Sequence, residues 1–168
     1  MKNGTFTIDA GADEFVTTGI HNLGPIEIYR GRPVFYGLAN FFWSDIQVAL
    51  PHDLFQQNAA ALGKTFANPG DATAYDLAAL LNTQTFAYPY IFQTVIAKSV
   101  FERNRLARIV LYAVDLGYGR KLTSSGTPRL ADAATARLIF KRIADATREY
   151  GLPPLDMHVD GNVATILP

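Results

Sequence analysis

The sequence predicts a single domain of mixed α and β structure, α/β in the broad sense and α+β in its order of elements, with antiparallel hairpins. Three observations carry this. Two long β-rich runs abut, "YIFQTVIAKSVFERN" (90–104) and "RLARIVLYAVDL" (105–116), with Asn104 near the junction. A periodic apolar pattern marks one strong helix at 132–151. The chain also has 168 residues, 49% apolar and 18% charged, which suits one domain (1–168) with ample core material and no disorder signature.

The elements follow in order. In "FTIDAGADEFVTT" a short helix end meets Gly11, and a strand is expected from about 14 to 17. "IEIY" (26–29) and "PVFYGL" (33–38) are β-rich, and Arg30-Gly31-Arg32 between them reads as a hairpin turn. Residues 45–70 carry Pro51, Gly63, Pro69 and Gly70, and read as a long loop with a helical turn or two around "LFQQNAAAL". "DATAYDLAALLNT" (71–83) reads as a short helix capped by Asp71. The runs at 90–104 and 105–116 pair as an antiparallel hairpin, although Gln93, Lys98, Arg105 and Arg108 interrupt their apolar positions. In 132–151, Asp132 is the N-cap, and Ala136, Ile139, Phe140, Ile143 and Tyr150 share a face. Gly151 stops that helix, and Pro153-Pro154 prevent its resumption. "LDMHVDGNVATIL" (155–167) closes as a hairpin about Asp160-Gly161.

Composition excludes several functions. Fifteen basic and fifteen acidic residues cancel, so there is no electrostatic footprint for nucleic acid or anionic lipid. With no cysteine there is no disulfide, no thiolate catalysis and no zinc–thiolate site. No run approaches the ~18 apolar residues of a spanning helix, and the first residues lack a signal-peptide pattern, so no membrane segment is expected.

The stretch "DAGADEFVTTGIHNLGPIEIYRGRPVFYGLANFFW" resembles the C-terminal half of the CapA-type poly-γ-glutamate (capsule) synthesis proteins, within the calcineurin-like metallophosphoesterase superfamily. Ala10-Gly11-Ala12-Asp13, Ile26-Glu27-Ile28-Tyr29, Gly31-Arg32-Pro33, Phe35-Tyr36 and Asn40-Phe41 match that pattern. His21 falls on the last His of a Gly-His-x-Pro-His loop. "LYAVDLGYGR", "GTPRLAD", "YGL" and a final hairpin look like the family's tail. The resemblance covers roughly residues 6–48 and 88–168. It implies half of a metallophosphoesterase-like β-sandwich flanked by helices, acting on phosphoester or γ-glutamyl-type substrates with a divalent metal (Mn, Fe or Zn). It also implies that His21 is the catalytic and metal-loop residue, and that Asn40, Tyr36 and Trp43 face substrate. Family members are often associated with the cell envelope.

Two departures qualify the match. Thr18 occupies the position of the loop's first His, and Ile20 that of its Pro. The Asp-x-His, the further Asp and the Asn-His pair of the family's N-terminal half are absent. A dinuclear centre holds two cations ~3.5–4 Å apart with several N and O ligands. His21, His52 and His158 lie far apart in sequence, and a Thr hydroxyl is a weak ligand. No metal is therefore expected to bind tightly to this chain alone.

Each candidate also has a plain structural reading. His21 is either a metal-loop residue or a loop His bonded to backbone. Asn40 either orients a ligand or takes a left-handed turn, and Ala39 in place of the family's Gly argues against a tight positive-φ turn there. Phe41, Phe42 and Trp43 line a groove or belong to the core. His52 reads as a solvated loop residue, His158 as pointing away from the core, and Glu27 as facing solvent or pairing with Arg30 or Arg32.

Two functional readings follow. In one, the chain is part of a CapA-like enzyme completed by a companion N-terminal half. In the other, it is a non-catalytic binding or assembly module that forms a homo-oligomer, because a half-sandwich leaves an apolar sheet face open. Val34, Tyr36, Ile91, Val95, Ile109 and Leu111 are the apolar positions expected to need covering, with the helix at 71–83 shielding part of one face.

Overall fold

The computed structural model describes residues 3–42, 52–85, 88–121 and 123–168. Helix α1 (Asn3–Asp9) leads into β1 (Phe15–Val16), which pairs in parallel with β3 (Arg32–Phe35). β2 (Ile26–Tyr29) pairs antiparallel with the other side of β3 and completes a three-stranded sheet in the order β1-β3-β2. The β2–β3 turn uses two residues, not three. Arg30 and Gly31 both take positive φ (50° and 72°), the twist-matched hairpin geometry, and Arg32 becomes the first residue of β3. β3 ends at Phe35, short of the predicted Leu38.

The larger sheet contains the predicted long hairpin. β4 (Gln93–Glu102) and β5 (Arg105–Asp115) pair antiparallel across Arg103-Asn104, again with both φ positive (49° and 65°). β7 (Asp156–Asp160) and β8 (Val163–Leu167) form the final hairpin, turning one residue later than expected, and β8 lies beside β5. The order is β4-β5-β8-β7, with the short β6 (Arg129–Leu130) also pairing with β5. The architecture is thus mixed α+β with antiparallel hairpins and flanking helices.

Alternation along β5 decides which face is covered. Ile109, Leu111 and Ala113 are fully buried together with Val95, Ala164 and Ile166 from the neighbouring strands. Helix α5 (Ala133–Glu149) lays Ala136, Ile139, Phe140 and Ile143 onto this face, joined by Ile26 and Phe35 from the small sheet. Each fully buried Ile or Phe contributes about 1.5–3 kcal/mol. Asp132 caps α5 by accepting the Thr135 amide at 2.7 Å. At the other end Gly151 (φ 73°) permits the paired Gly151 N–H to Arg148 O and Leu152 N–H to Thr147 O bonds of a Schellman motif.

The expected covering of the sheets needs correction in two ways. Val34, Val95, Ile109 and Leu111 do not need an outside partner, because they are already inside. The open face of the larger sheet carries Ile96, Val110, Tyr112 and Val163 instead. The described buried residues of helix α4 (Ala74–Thr85) pack elsewhere. With α2 (His52–Gln57) and α3 (Ala59–Leu62), α4 forms a separate small cluster around Leu62, Ala72 and Leu77. The cap of α4 is Thr73, not Asp71: Thr73 Oγ1 accepts the Asp76 amide, and Asp76 accepts the Thr73 amide at 2.8 Å. Helices α2 and α3 stand where a helical turn or two was expected within the 45–70 loop, whose residues 45–51 lie outside the described residues.

Candidate functional site

The sequence-predicted residues converge in one respect. His21 Nδ1 lies 2.8 Å from Asn40 Oδ1, across nineteen positions of chain. The geometry that brings them together starts with two glycines. Segments 22–25 and 36–38 run side by side, with Gly24 N–H to Gly37 O at 2.9 Å, Tyr36 N–H to Pro25 O at 3.0 Å and a bridge between Leu23 and Leu38. A Cβ on Gly24 would sit 2.4 Å from the Tyr36 carbonyl oxygen. A Cβ on Gly37 (φ 140°) would sit 2.2 Å from the Ile20 side chain. The close approach therefore requires Gly at both positions. It carries His21 and Asn40 to the same end of the small sheet.

Asn40 is oriented from behind. Its amide nitrogen makes a long bond, 3.5 Å, to the Ile91 carbonyl, which turns its oxygen toward the imidazole. An amide oxygen only accepts, so in this contact His21 Nδ1 is the donor. The Thr94 hydroxyl donates to the Leu38 carbonyl and ties this loop to β4. Ala39 takes the left-handed conformation (φ 61°) despite its Cβ, and Asn40 does not. The tight positive-φ turn therefore forms at the position where Ala39 argued against it, at a cost of about 1–2 kcal/mol.

The other predicted residues do not join this pair. Tyr36 is half-buried and donates its hydroxyl to Glu27 at 2.8 Å, and its ring tilts against Tyr150. Burial, then the Glu27 bond, raise its pKa well above the usual phenol value. Glu27 thus pairs with Tyr36 instead of an arginine. Thr18 is exposed, as are Phe41 and Phe42, so the last two are not core. Trp43 lies outside the described residues. His52 is exposed at the start of α2, 3.0 Å from Gln56, and His158 faces out beside Asp156.

A cluster that the pattern alone did not reveal stands beside this end. Arg142 of α5 donates to Gln93 at 2.7 Å and stacks over Tyr90. Partial burial lowers the guanidinium's pKa. The one sequence signal was Gln93, a polar residue at the head of an apolar strand. Tyr90 and Ile91 share the short 3₁₀ turn Pro89–Phe92, so this cluster and the His21–Asn40 pair hang on one piece of backbone.

The donor set does not fit a dinuclear metal centre. Among the described residues no three His, Asp or Glu side chains come together. An amide oxygen and an exposed hydroxyl are poor substitutes for the carboxylates such a centre needs. Among the described residues no helix is long and apolar enough to cross a membrane.

No protein-family model matches the chain. Two proteins of Sinorhizobium fredii (strain NBRC 101917 / NGR234), the uncharacterized proteins y4sH and y4uA, are each 35% identical to it over 152 residues. The match takes in 86% of this chain and 32% of each relative, so the chain spans about a third of the length of these curated relatives.

Proposed function

We propose that the chain is one part of a CapA-like, metal-dependent hydrolase-type protein acting on phosphoester or γ-glutamyl-type substrates, and that it is not competent alone. In this reading its two sheets are half of a metallophosphoesterase-like sandwich, and a companion N-terminal half supplies the remaining ligands. The observation that carries the proposal is the His21–Asn40 pair. The resemblance assigned both residues to the site, and they meet at 2.8 Å, Nδ1 toward the Asn40 amide oxygen. An imidazole and an amide held side by side suit the positioning of a substrate hydroxyl or water. The greater length of the relatives also supports a part-protein reading.

Nitrogen NMR of His21 tests it. The expected result is the Nδ1–H tautomer, lost in Asn40→Ala, with no phosphodiester or γ-glutamyl hydrolysis by the chain alone. An Nε2–H tautomer, or turnover by the isolated chain with added Mn or Zn, would sink the proposal.

A second reading rests on a different observation, the open face of the larger sheet. Ile96 is 43% exposed there, beside half-buried Val110, Tyr112 and Val163. Such a face favours an assembly module closed by a two-fold dimer. Light scattering at micromolar concentration separates the two readings: a mass of 18.4 kDa with no dye-binding apolar surface counts against self-association.

A further inference from the structure

We propose that the cleft between the β2–β3 and β4–β5 hairpin tips binds a small, multiply charged oxyanion, the ligand being a phosphate- or carboxylate-bearing molecule. The two tips enclose a cavity of about 490 Å³ lined by Arg30, Arg32, Arg105, Asn104 and Leu106. Three arginines from two hairpins line it in a chain whose overall charge is zero, two of them paired with Asp9 and Asp13.

The arginines are held unequally. Arg30 pairs with Asp9 at 2.8 Å and is largely exposed. Arg105 is exposed and has no ion pair among the described residues. Arg32 is the most enclosed, with its side chain 21% exposed. Its Nη2 donates to Asn104 at 3.4 Å, and its guanidinium stands over the Phe101 ring at 5.6 Å. Asp13 comes within 3.1 Å of Nη1, close enough for an ion pair. The approach is not aligned for a hydrogen bond, however, so this buried nitrogen has no hydrogen-bond acceptor among the described residues. An aligned ligand oxygen would give this nitrogen the hydrogen bond that the Asp13 ion pair does not.

The ligand class follows from the donors. A guanidinium is a planar fork that matches two oxygens of a phosphate or carboxylate. Arg32 is fixed by Asn104 and Phe101 before any ligand arrives, while Arg30 and Arg105 can close from either side. Arg30 is also carried at positive φ, where Asn or Gly is less strained.

This site is separate from the His21–Asn40 pair and does not depend on that reading. His21 and Asn40 flank the opposite end of the β2–β3 hairpin, and β4 runs its ten residues between Ile91 and the Arg103-Asn104 turn. At ~3.3 Å per residue the two places stand roughly 30 Å apart.

Calorimetric titration with pyrophosphate and with citrate, at low salt, tests the proposal on the chain as it is. Saturable one-to-one binding of either probe is expected. Pyrophosphate alone assigns the phosphate class, citrate alone the carboxylate class, and both together a site that reads charge and oxygen geometry. Arg105→Gln should weaken binding about tenfold, the loss of one charge-assisted bond, and leave thermal unfolding unchanged. Arg137→Gln, on the far groove between α5 and β7, should have no effect. The proposal fails if the wild-type chain shows no saturable binding. It also fails if Arg105→Gln and Arg30→Gln both bind as wild type, or if Arg137→Gln weakens binding as much as Arg105→Gln.

Discussion

Thr147 joins the two sheets through the helix, and replacing it measures that joint. It lies on the inner face of α5, 1% exposed. Its hydroxyl donates to the Ile143 carbonyl at 2.8 Å and accepts the Ile26 amide at 3.2 Å. Ile26 opens β2, an edge strand of the small sheet, and this amide points away from β3. Without Thr147 it would be a buried edge donor with no acceptor, the kind of group folded proteins rarely leave unpaired. Thr147→Val keeps the shape and removes the acceptor. The orphaned amide costs about 1–3 kcal/mol, and the added buried methyl returns about 0.8 kcal/mol. The expected net loss is about 0.2–2 kcal/mol. For a domain of this size each kcal/mol lowers Tm by about 2–4 °C, so a fall of up to about 8 °C is expected. Thr147→Ser keeps the bonds and loses a methyl, at about 1 kcal/mol. Stability alone therefore separates the variants poorly, and hydrogen exchange at the Ile26 amide decides. Protection should fall in the Val variant and persist in the Ser variant. A Val variant as stable as wild type, with the Ile26 amide still protected, would refute the reasoning.

Three further outcomes follow from the same geometry. Gly24→Ala drives a Cβ into the Tyr36 carbonyl, so a loss of about 1–3 kcal/mol in urea unfolding is expected, together with loss of the His21–Asn40 hydrogen-bond signal. Asp132 has a lowered pKa, chiefly through the Thr135 amide, so its contribution is present above the ordinary carboxylate pKa and is lost as pH falls through the lower folded value. In Asp132→Asn, which still caps, the fall in Tm between pH 5 and pH 2 should be smaller than in wild type; an equal fall would show that this carboxylate is not coupled to folding. Tyr36 has a raised pKa, so its contribution is complete below the ordinary phenol pKa of about 10 and is lost as pH rises through the folded value. Tyr36→Phe should therefore flatten the alkaline loss of stability seen in wild-type melts, and an unchanged slope would count against the Tyr36–Glu27 bond.

The parts legible in the sequence were those governed by neighbours along the chain. The α5 helix, its Asp132 cap and its Gly151 stop are local signals, and so is the long β4–β5 hairpin, because period and turn chemistry act within a few residues. The β-turn positions slipped by one residue, because register is set by pairing across strands and not by the turn residues alone. The cap of α4 was misplaced for a similar reason: Asp71 and Thr73 are both good caps, and the reciprocal bond with Asp76 decides between them. His21 and Asn40 were named as candidates from sequence, but their contact depends on Gly24 and Gly37 letting two backbone segments touch. Arg142 beside Gln93, and Arg32 beside Asn104, had no local signal at all. The members of these pairs lie 49 and 72 residues apart. The sequence by itself determined which elements form, because propensity, capping and periodicity are short-range. Only the tertiary structure decided which face of the sheet is covered and which side chains meet, because burial and charge pairing depend on distances that the chain closes only when it folds.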